Sequence, residues 1–358
     1  MITAGPVSLT ATTGANSLAP RVSIITATYN HARWIGACIE SVQAQTFQNW
    51  EQIIIDDGSS DDTAAVIQRY LDDPRINYIR QENRGIWHLA DNNNVALAIG
   101  LGEFVAILEG DDRWPPDKLE SQLSAFDDDT IGLCYGWVQV IDDQDVLVES
   151  DILRSGAWSP PYASLADTSP LPFLRDLLLL RGNVGNVSVM YRRAALDAAG
   201  GFWQPSYFPA ADFSTHLRVA TCYRAAFLDQ PLGFWRKHSG QTTEIHALRY
   251  ALGHTQTAVE YWRSLPEPVR LELGIEEQDI WSARRAYLAN AYWGATRAAM
   301  HGDDWATARA YAANMFKWGD MFRKVEGTAA WLFSLLHIDI NSAIDWAAGT
   351  SMGKRLVR

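Results

Sequence analysis

Cysteine is scarce in this chain. Three occur in 358 residues, Cys38, Cys134 and Cys222, far apart and odd in number. No CxxC pair or Cys/His cluster is present, which argues against a zinc site or a disulfide framework and fits a reducing compartment. Positive charge is also in deficit. Thirty Lys and Arg against 42 Asp and Glu leave a net charge of −12, a poor footing for a nucleic-acid surface. No apolar run approaches the length of about 18 residues that a spanning helix needs. Residues 1–20 lack both a basic start and a long apolar stretch, and read as a disordered tail rather than a signal peptide. Glycine is absent from Ala27-Thr-Tyr-Asn-His-Ala-Arg33, the loop after the first apolar run. That counts against the Gly-rich phosphate cradles of dinucleotide oxidoreductases and of sugar-nucleotide-forming nucleotidyltransferases.

What is present is a globular pattern, 47% hydrophobic. Short apolar runs at 22–27, 51–55, 76–80 and 103–108 read as strands. Segments of helical spacing lie between them, at 34–45, 63–71 and 92–100. This alternation predicts an α/β fold with a mostly parallel sheet and helices on both faces. Beyond it come a helix at 118–126, a central strand at 131–141, a loop at 158–168 and a helix at 173–180. A strand at 187–191, helices at 193–199 and 212–220 and a short strand at 225–228 follow. From residue 245 the texture is Ala-, Trp- and Arg-rich with helical periodicity. Segments 280–300 and 304–318 read as an antiparallel helix pair, with Gly302 ending the first and Asp303 or Asp304 capping the second. A mixed apolar helix at 331–348 and a basic tail at 354–358 close the chain. The fifteen tryptophans are read chiefly as core filling.

Three predicted strand ends carry polar groups: Thr28-Tyr29-Asn30, Asp56-Asp57-Gly58-Ser59 and Glu109-Gly110-Asp111-Asp112. In a parallel sheet such ends lie along one edge, where open α/β folds bind ligands. Acids two residues apart there suit a hard divalent ion held against a diphosphate.

With these motifs the chain resembles the inverting glycosyltransferases of family 2, which have the GT-A fold. The resemblance rests on Val22-Ser-Ile-Ile-Thr-Ala-Thr-Tyr-Asn30, Ser41-Val-Gln-Ala-Gln-Thr-Phe47, Ile55-Asp-Asp-Gly-Ser-Ser-Asp61, Asn83-Arg-Gly85 and Leu108-Glu-Gly-Asp-Asp112. Looser matches are Gly200-Gly-Phe202, Asp212 and Phe234-Trp-Arg-Lys-His238. The resemblance implies a GT-A domain over 21–244, a helical region over 245–358 and a nucleotide-sugar donor, with UDP favoured. By the same resemblance, Ala27 and Tyr29 border the base and ribose, and Asp57 accepts a hydrogen bond from the base. Glu109 and Gly110 lie by the ribose, Arg84 by the diphosphate, and Asp111 holds Mn2+ or Mg2+. Asp212 is the base that deprotonates the acceptor hydroxyl, kept ionised by a helix N-terminus. Arg236 and His238 close over the diphosphate as a lid. The implied acceptor is a glycan or lipid-linked glycan, and the implied location is cytoplasmic, at the inner face of a membrane. The C-terminal helices are candidates for a peripheral membrane contact or a homodimer. The rival expectation is a catalytically degenerate member that binds nucleotide sugars or partner proteins. Four departures from the family pattern stand out: Ala27 for Pro, Glu109 for Asp, Ala211 for Glu, and Asp91 where an Arg is common.

Overall fold

Nearly continuous apolar strands bury themselves only in a sheet covered on both faces, and the computed structural model has that form. It describes residues 19–148, 169–182 and 184–340. Strands β1 (Val22–Thr28), β2 (Trp50–Asp56), β3 (Ile76–Arg80) and β4 (Phe104–Ile107) pair in parallel. Helices α1 (Ile35–Gln43), α2 (Thr63–Gln68) and α3 (Leu89–Ile99) connect them. Next come α4 (Lys118–Leu123), β5 (Ile131–Ile141), β6 (Leu147–Val148), α5 (Leu171–Leu178) and β7 (Met190–Arg192). Helices α6 (Arg193–Ala198) and α7 (Asp212–Cys222) lead into β8 (Arg224–Arg236). The strand order is β3-β2-β1-β4-β7-β5-β6, with β8 paired to β5. Only β7 and the short β6 run antiparallel to their neighbours.

Period-2 alternation divides the core. Ile25, Ile53, Val105 and Leu133 face α3, α5 and α7, whereas Ile24, Ile54, Ala106 and Cys134 face α1 and α4. The helical region comprises α8 (Thr242–Ile245), α9 (Ala247–Ser264), α10 (Glu267–Leu273), α11 (Glu277–Ala283), α12 (Arg285–His301), α13 (Trp305–Trp318) and α14 (Met321–Leu335). Trp262, Leu265, Leu273 and Ile280 belong to the same core as Ile25. Met300, Ala308, Ala312 and Ala330 form a small separate cluster under α12, α13 and α14.

Several expectations need correction. Strand 225–228 is instead the 13-residue β8, because register shifts beside Gly136 and Trp137 absorb Pro231, which has no N–H to give the ladder. Strand β5 lies between β7 and β8, beyond β4, rather than at the sheet centre. The helix expected over 280–300 breaks at Arg284. There the fully buried guanidinium donates to the carbonyls of Leu177 and Leu178, satisfying the end of α5, and the chain bends to let it in. Gly302 does end α12, and Asp304 caps α13 by accepting from Thr307 N at 3.1 Å. Helix α14 ends at Leu335 rather than continuing through 348. Residues 1–18 of the tail expected over 1–20, the loop at 158–168 and the segment 341–358 lie outside the described residues.

Candidate active site

The ends of β1, β2 and β4 are joined by backbone hydrogen bonds that extend past the strands. Asp57 N donates to Thr28 O at 2.9 Å, and Gly110 N donates to Ala27 O at 3.0 Å. A side chain at Gly110 would place Cβ 2.5 Å from Thr28 Oγ1 and 2.9 Å from His31 Nδ1, so only glycine fits. Ala27 and Tyr29 flank this seam, with Tyr29 45% exposed at its rim. Asn30 adopts a left-handed backbone (φ 56°), and its Oδ1 accepts from Ser60 N at 2.8 Å, tying the first loop to the second.

The paired aspartates divide their work. Asp56 is wholly buried, accepting from Ser59 N and from the Tyr78 hydroxyl, each at 2.8 Å. It shapes the loop. Asp57 accepts from Gly85 N and Gln81 Nε2, both at 2.8 Å, and from Arg84 N at 3.2 Å. Its carboxylate is thus held in place by the Asn83-Arg-Gly85 loop. The Arg84 guanidinium reaches Asp91 Oδ2 at 2.7 Å, so the acid that departs from the family pattern occupies the cation expected at the diphosphate.

The acids after β4 occupy distinct environments. Asp111 Oδ2 faces His238 Nε2 at 3.1 Å and His31 Nε2 at 3.9 Å. Burial raises its proton affinity, but the two imidazoles outweigh this and hold the carboxyl below its ordinary range. Glu109 Oε1 accepts from Asn186 Nδ2, while its Oε2 is buried without a partner. Burial, then the charge of Asp111, pushes Glu109 up to about 7. Asp112 is buried and accepts from Arg236 N at 2.8 Å.

Arg236 is not placed as a lid. It is fully buried, donating to Asp111 O at 2.7 Å, Asp142 O at 2.8 Å and Asp145 Oδ1 at 2.5 Å. It braces the acidic turn from behind, helped by the two-way backbone bridge between Arg113 and Phe234. His238 alone of the pair faces the acids.

Asp212 is the first residue of α7, with Ala211 as its N-cap. Its Oδ1 accepts from Phe213 N at 2.7 Å. Burial raises its proton affinity, while the hydrogen bond from Phe213 N at the helix start works the other way. The charge of Asp212 adds to the rise at Glu109, and Tyr191 on β7 feels both acids. The segment before Asp212 is clamped to α3. Asn94 exchanges two 2.8 Å bonds with the backbone of Phe202, and Gly201 (φ 81°) has no room for Cβ beside Asn94 Oδ1. Gln204 Nε2 bonds Ile86 O at 2.8 Å and Phe208 O at 3.0 Å, joining the Arg84 loop to the Asp212 loop. His31, Asn94, Asn186, Tyr191 and Gln204 were not identifiable from sequence, because each works through a partner at least 60 residues distant or in another loop.

Residues 23–194 match the model of glycosyl transferase family 2. That segment is similar to this family, and the match covers just under half of the chain. Over 127 residues it is 37% identical to UDP-Glc:alpha-D-GlcNAc-diphosphoundecaprenol beta-1,3-glucosyltransferase WfgD of Escherichia coli, covering 35% of this chain and 49% of that protein. Over 106 residues it is 42% identical to the putative teichuronic acid biosynthesis glycosyltransferase TuaG of Bacillus subtilis, covering 29% of this chain and 41% of that one. The matches span half or less of these relatives. Among solved structures, S. aureus TarS 1-349 in complex with UDP-GlcNAc superposes with a TM-score of 0.56 at 15% identity, over 88% of this chain and 89% of that one. The mannosyltransferase PcManGT of Pyrobaculum calidifontis, with GDP-Man and Mn2+, gives 0.52 at 21% identity, over 95% and 86%. These likenesses show the GT-A fold, with a helical region following the sheet.

Proposed function

We propose that the protein is a metal-dependent inverting glycosyltransferase that moves a sugar from a nucleotide-diphosphate donor, with UDP favoured, to a hydroxyl of a surface glycan. The observation that carries this reading is the convergence of three separate segments bearing Asp57, Glu109 with Asp111, and Asp212. In it, Asp57 takes the base's N–H, and Ala27 and Tyr29 border base and ribose. Gly110 leaves room for the ribose and diphosphate beside Glu109. Arg84 reaches the diphosphate by leaving Asp91. The partnerless Glu109 Oε2 and the two imidazoles facing Asp111 make a donor set that suits Mn2+ or Mg2+. Among the described residues no three His, Cys, Asp or Glu side chains could hold an ion by themselves, so Asp111 and His238 would hold it together with phosphate oxygens. Bound there, the ion would neutralise charge on the departing nucleoside diphosphate. Asp212, whose proton affinity is raised toward the working range of a base, accepts the acceptor hydroxyl's proton during in-line attack.

The names of the relatives support the glycan setting: WfgD is named for a UDP-Glc donor and a diphosphoundecaprenol-linked acceptor, TuaG for teichuronic acid synthesis. A lipid-linked acceptor implies work at the cytoplasmic face of a membrane. No helix among the described residues is long and apolar enough to cross one. The exposed row Met321, Phe322, Val325, Leu332 and Leu335 on α14, continued by Leu336 just after it, supports a surface contact there, with lipid or with a second copy. The deciding experiment is calorimetric titration with UDP, GDP, dTDP and CMP, each with and without Mn2+. Metal-dependent binding of one diphosphate is expected. Binding of none would leave only the degenerate, non-catalytic reading.

A further inference from the structure

The helical region reaches the site at one place. Tyr250 on α9 and Tyr287 on α12 converge on the start of α7. Tyr250 packs edge-on against Phe208, with ring centroids 5.1 Å apart, and lies 6.3 Å from His254. His254 stacks flat on Phe213, the neighbour of Asp212, at 3.7 Å and 19°. Tyr287 meets His254 at 5.9 Å, close to perpendicular. Phe208, Phe213 and His254 are buried, and burial, then the Arg284 charge, keeps the imidazole neutral. The two tyrosines stay partly open, and neither hydroxyl has a hydrogen-bond partner among the described residues. Both phenols are raised, first by burial; for Tyr250 the charge of Asp212 comes next, and Tyr287, pushed up to about 12, feels it too. Their packing around Phe208 and around the His254 ring stacked on Phe213, the residue after Asp212, places both rings at the start of α7.

The chemistry of this corner differs from that of the donor side. Two tyrosine rings pack against buried aromatics, two hydroxyls are unpaired among the described residues, and a carboxylate stands at the end. An apolar chain would leave the hydroxyls and the acid unsatisfied. A sugar ring has an apolar C–H face for the tyrosines and a hydroxyl rim for the polar groups, as ligand pockets with aromatic walls and few polar groups require.

We propose that Tyr250 and Tyr287 form the acceptor subsite, taking a pyranose ring whose attacking hydroxyl points to Asp212. The helical region thereby completes the active site. This rests on the reading of Asp212 as the base.

The test uses the full chain saturated with UDP and Mn2+, a dead-end state in which no transfer occurs. Methyl glycosides of glucose, galactose and N-acetylglucosamine are probed by saturation-transfer NMR. UDP affinity is measured by calorimetry on the same samples. Tyr250→Leu and Tyr287→Leu fill the space without an aromatic face and should weaken glycoside binding at least about tenfold with UDP affinity unchanged. Tyr250→Phe and Tyr287→Phe keep the ring and should stay within about threefold of the parent. Glycoside binding unaltered by the leucines overturns the proposal. So does a parent protein that binds UDP but no glycoside, and so do leucine variants that lose UDP as well. A parent that takes glycoside but no nucleotide would instead sink the glycosyltransferase reading and leave the sugar subsite standing.

Discussion

The two sides of the cleft are built in opposite ways. On the donor side, Asp57 is held by donors from Gln81, Arg84 and Gly85, and the Asn30 side chain pins Ser60. These groups are fixed by short loops at strand ends. On the acceptor side, Asp212 keeps one hydrogen bond from its neighbour and is otherwise set among Tyr191, His216 and the rings of α9 and α12. His216 is held neutral, pushed down to about 3 by burial. Hydrogen-bonded carboxylates are suited to binding a defined group. A desolvated carboxylate is suited to taking a proton. Under the proposed function, this contrast gives recognition to one side and chemistry to the other.

The sharpest way to break that comparison is Asp212→Asn. Transfer should fall by about 10²–10⁴ in kcat while nucleotide affinity stays unchanged. A variant with full turnover would move the base elsewhere. Asp57→Ala attacks the other side. It strands three donors and should weaken nucleotide binding about 10–100-fold in calorimetry, because hydrogen bonds to charged groups contribute roughly 1.5–3 kcal/mol. An unchanged Kd would show that Asp57 only shapes its loop.

Arg284→Met tests whether the helices serve the acceptor side alone. It leaves the Leu177 and Leu178 carbonyls unpaired and should lower stability by about 2 kcal/mol in urea melts. Nucleotide affinity in the folded variant should match the parent, whereas transfer drops. Loss of nucleotide binding would mean that the two sides are not separable.

The smallest effect concerns Glu109. Its folded value of about 7 lies above the ordinary 4.5, so the folded chain holds this proton more tightly than the unfolded one. The stability it contributes is present below 4.5 and lost as pH rises through about 7. In metal-free protein, Glu109→Gln should remove this loss, about 1–3 kcal/mol between acidic and slightly alkaline pH, as read by urea melts. A parent equally stable at both ends would mean that Glu109 ionises freely.

The same contrast separates what was legible in the chain. The donor side lies within about 90 residues, as strand ends whose alternation and acidic stops sequence alone displays. The expected positions of Asp57, Gly110 and Asp111 therefore meet on one edge. Arg236 shows where such reading stops. The family resemblance placed it over the diphosphate, but a 13-residue strand draws it behind the acids, where it bonds Asp112, Asp142 and Asp145. The split of the 280–300 helix is similar, since its cause lies in α5, more than 100 residues away.

By itself the sequence determined the alternating strands and helices, the edge where their polar ends meet, and the acids found there. These depend on local periodicity and on residues close in the chain. Only the tertiary structure decided which acid is hydrogen-bonded and which is desolvated, that Arg236 is a brace, and that α9 and α12 close over Asp212. Burial and the field of distant charges depend on what packs above each group, and segments far along the chain supply that packing.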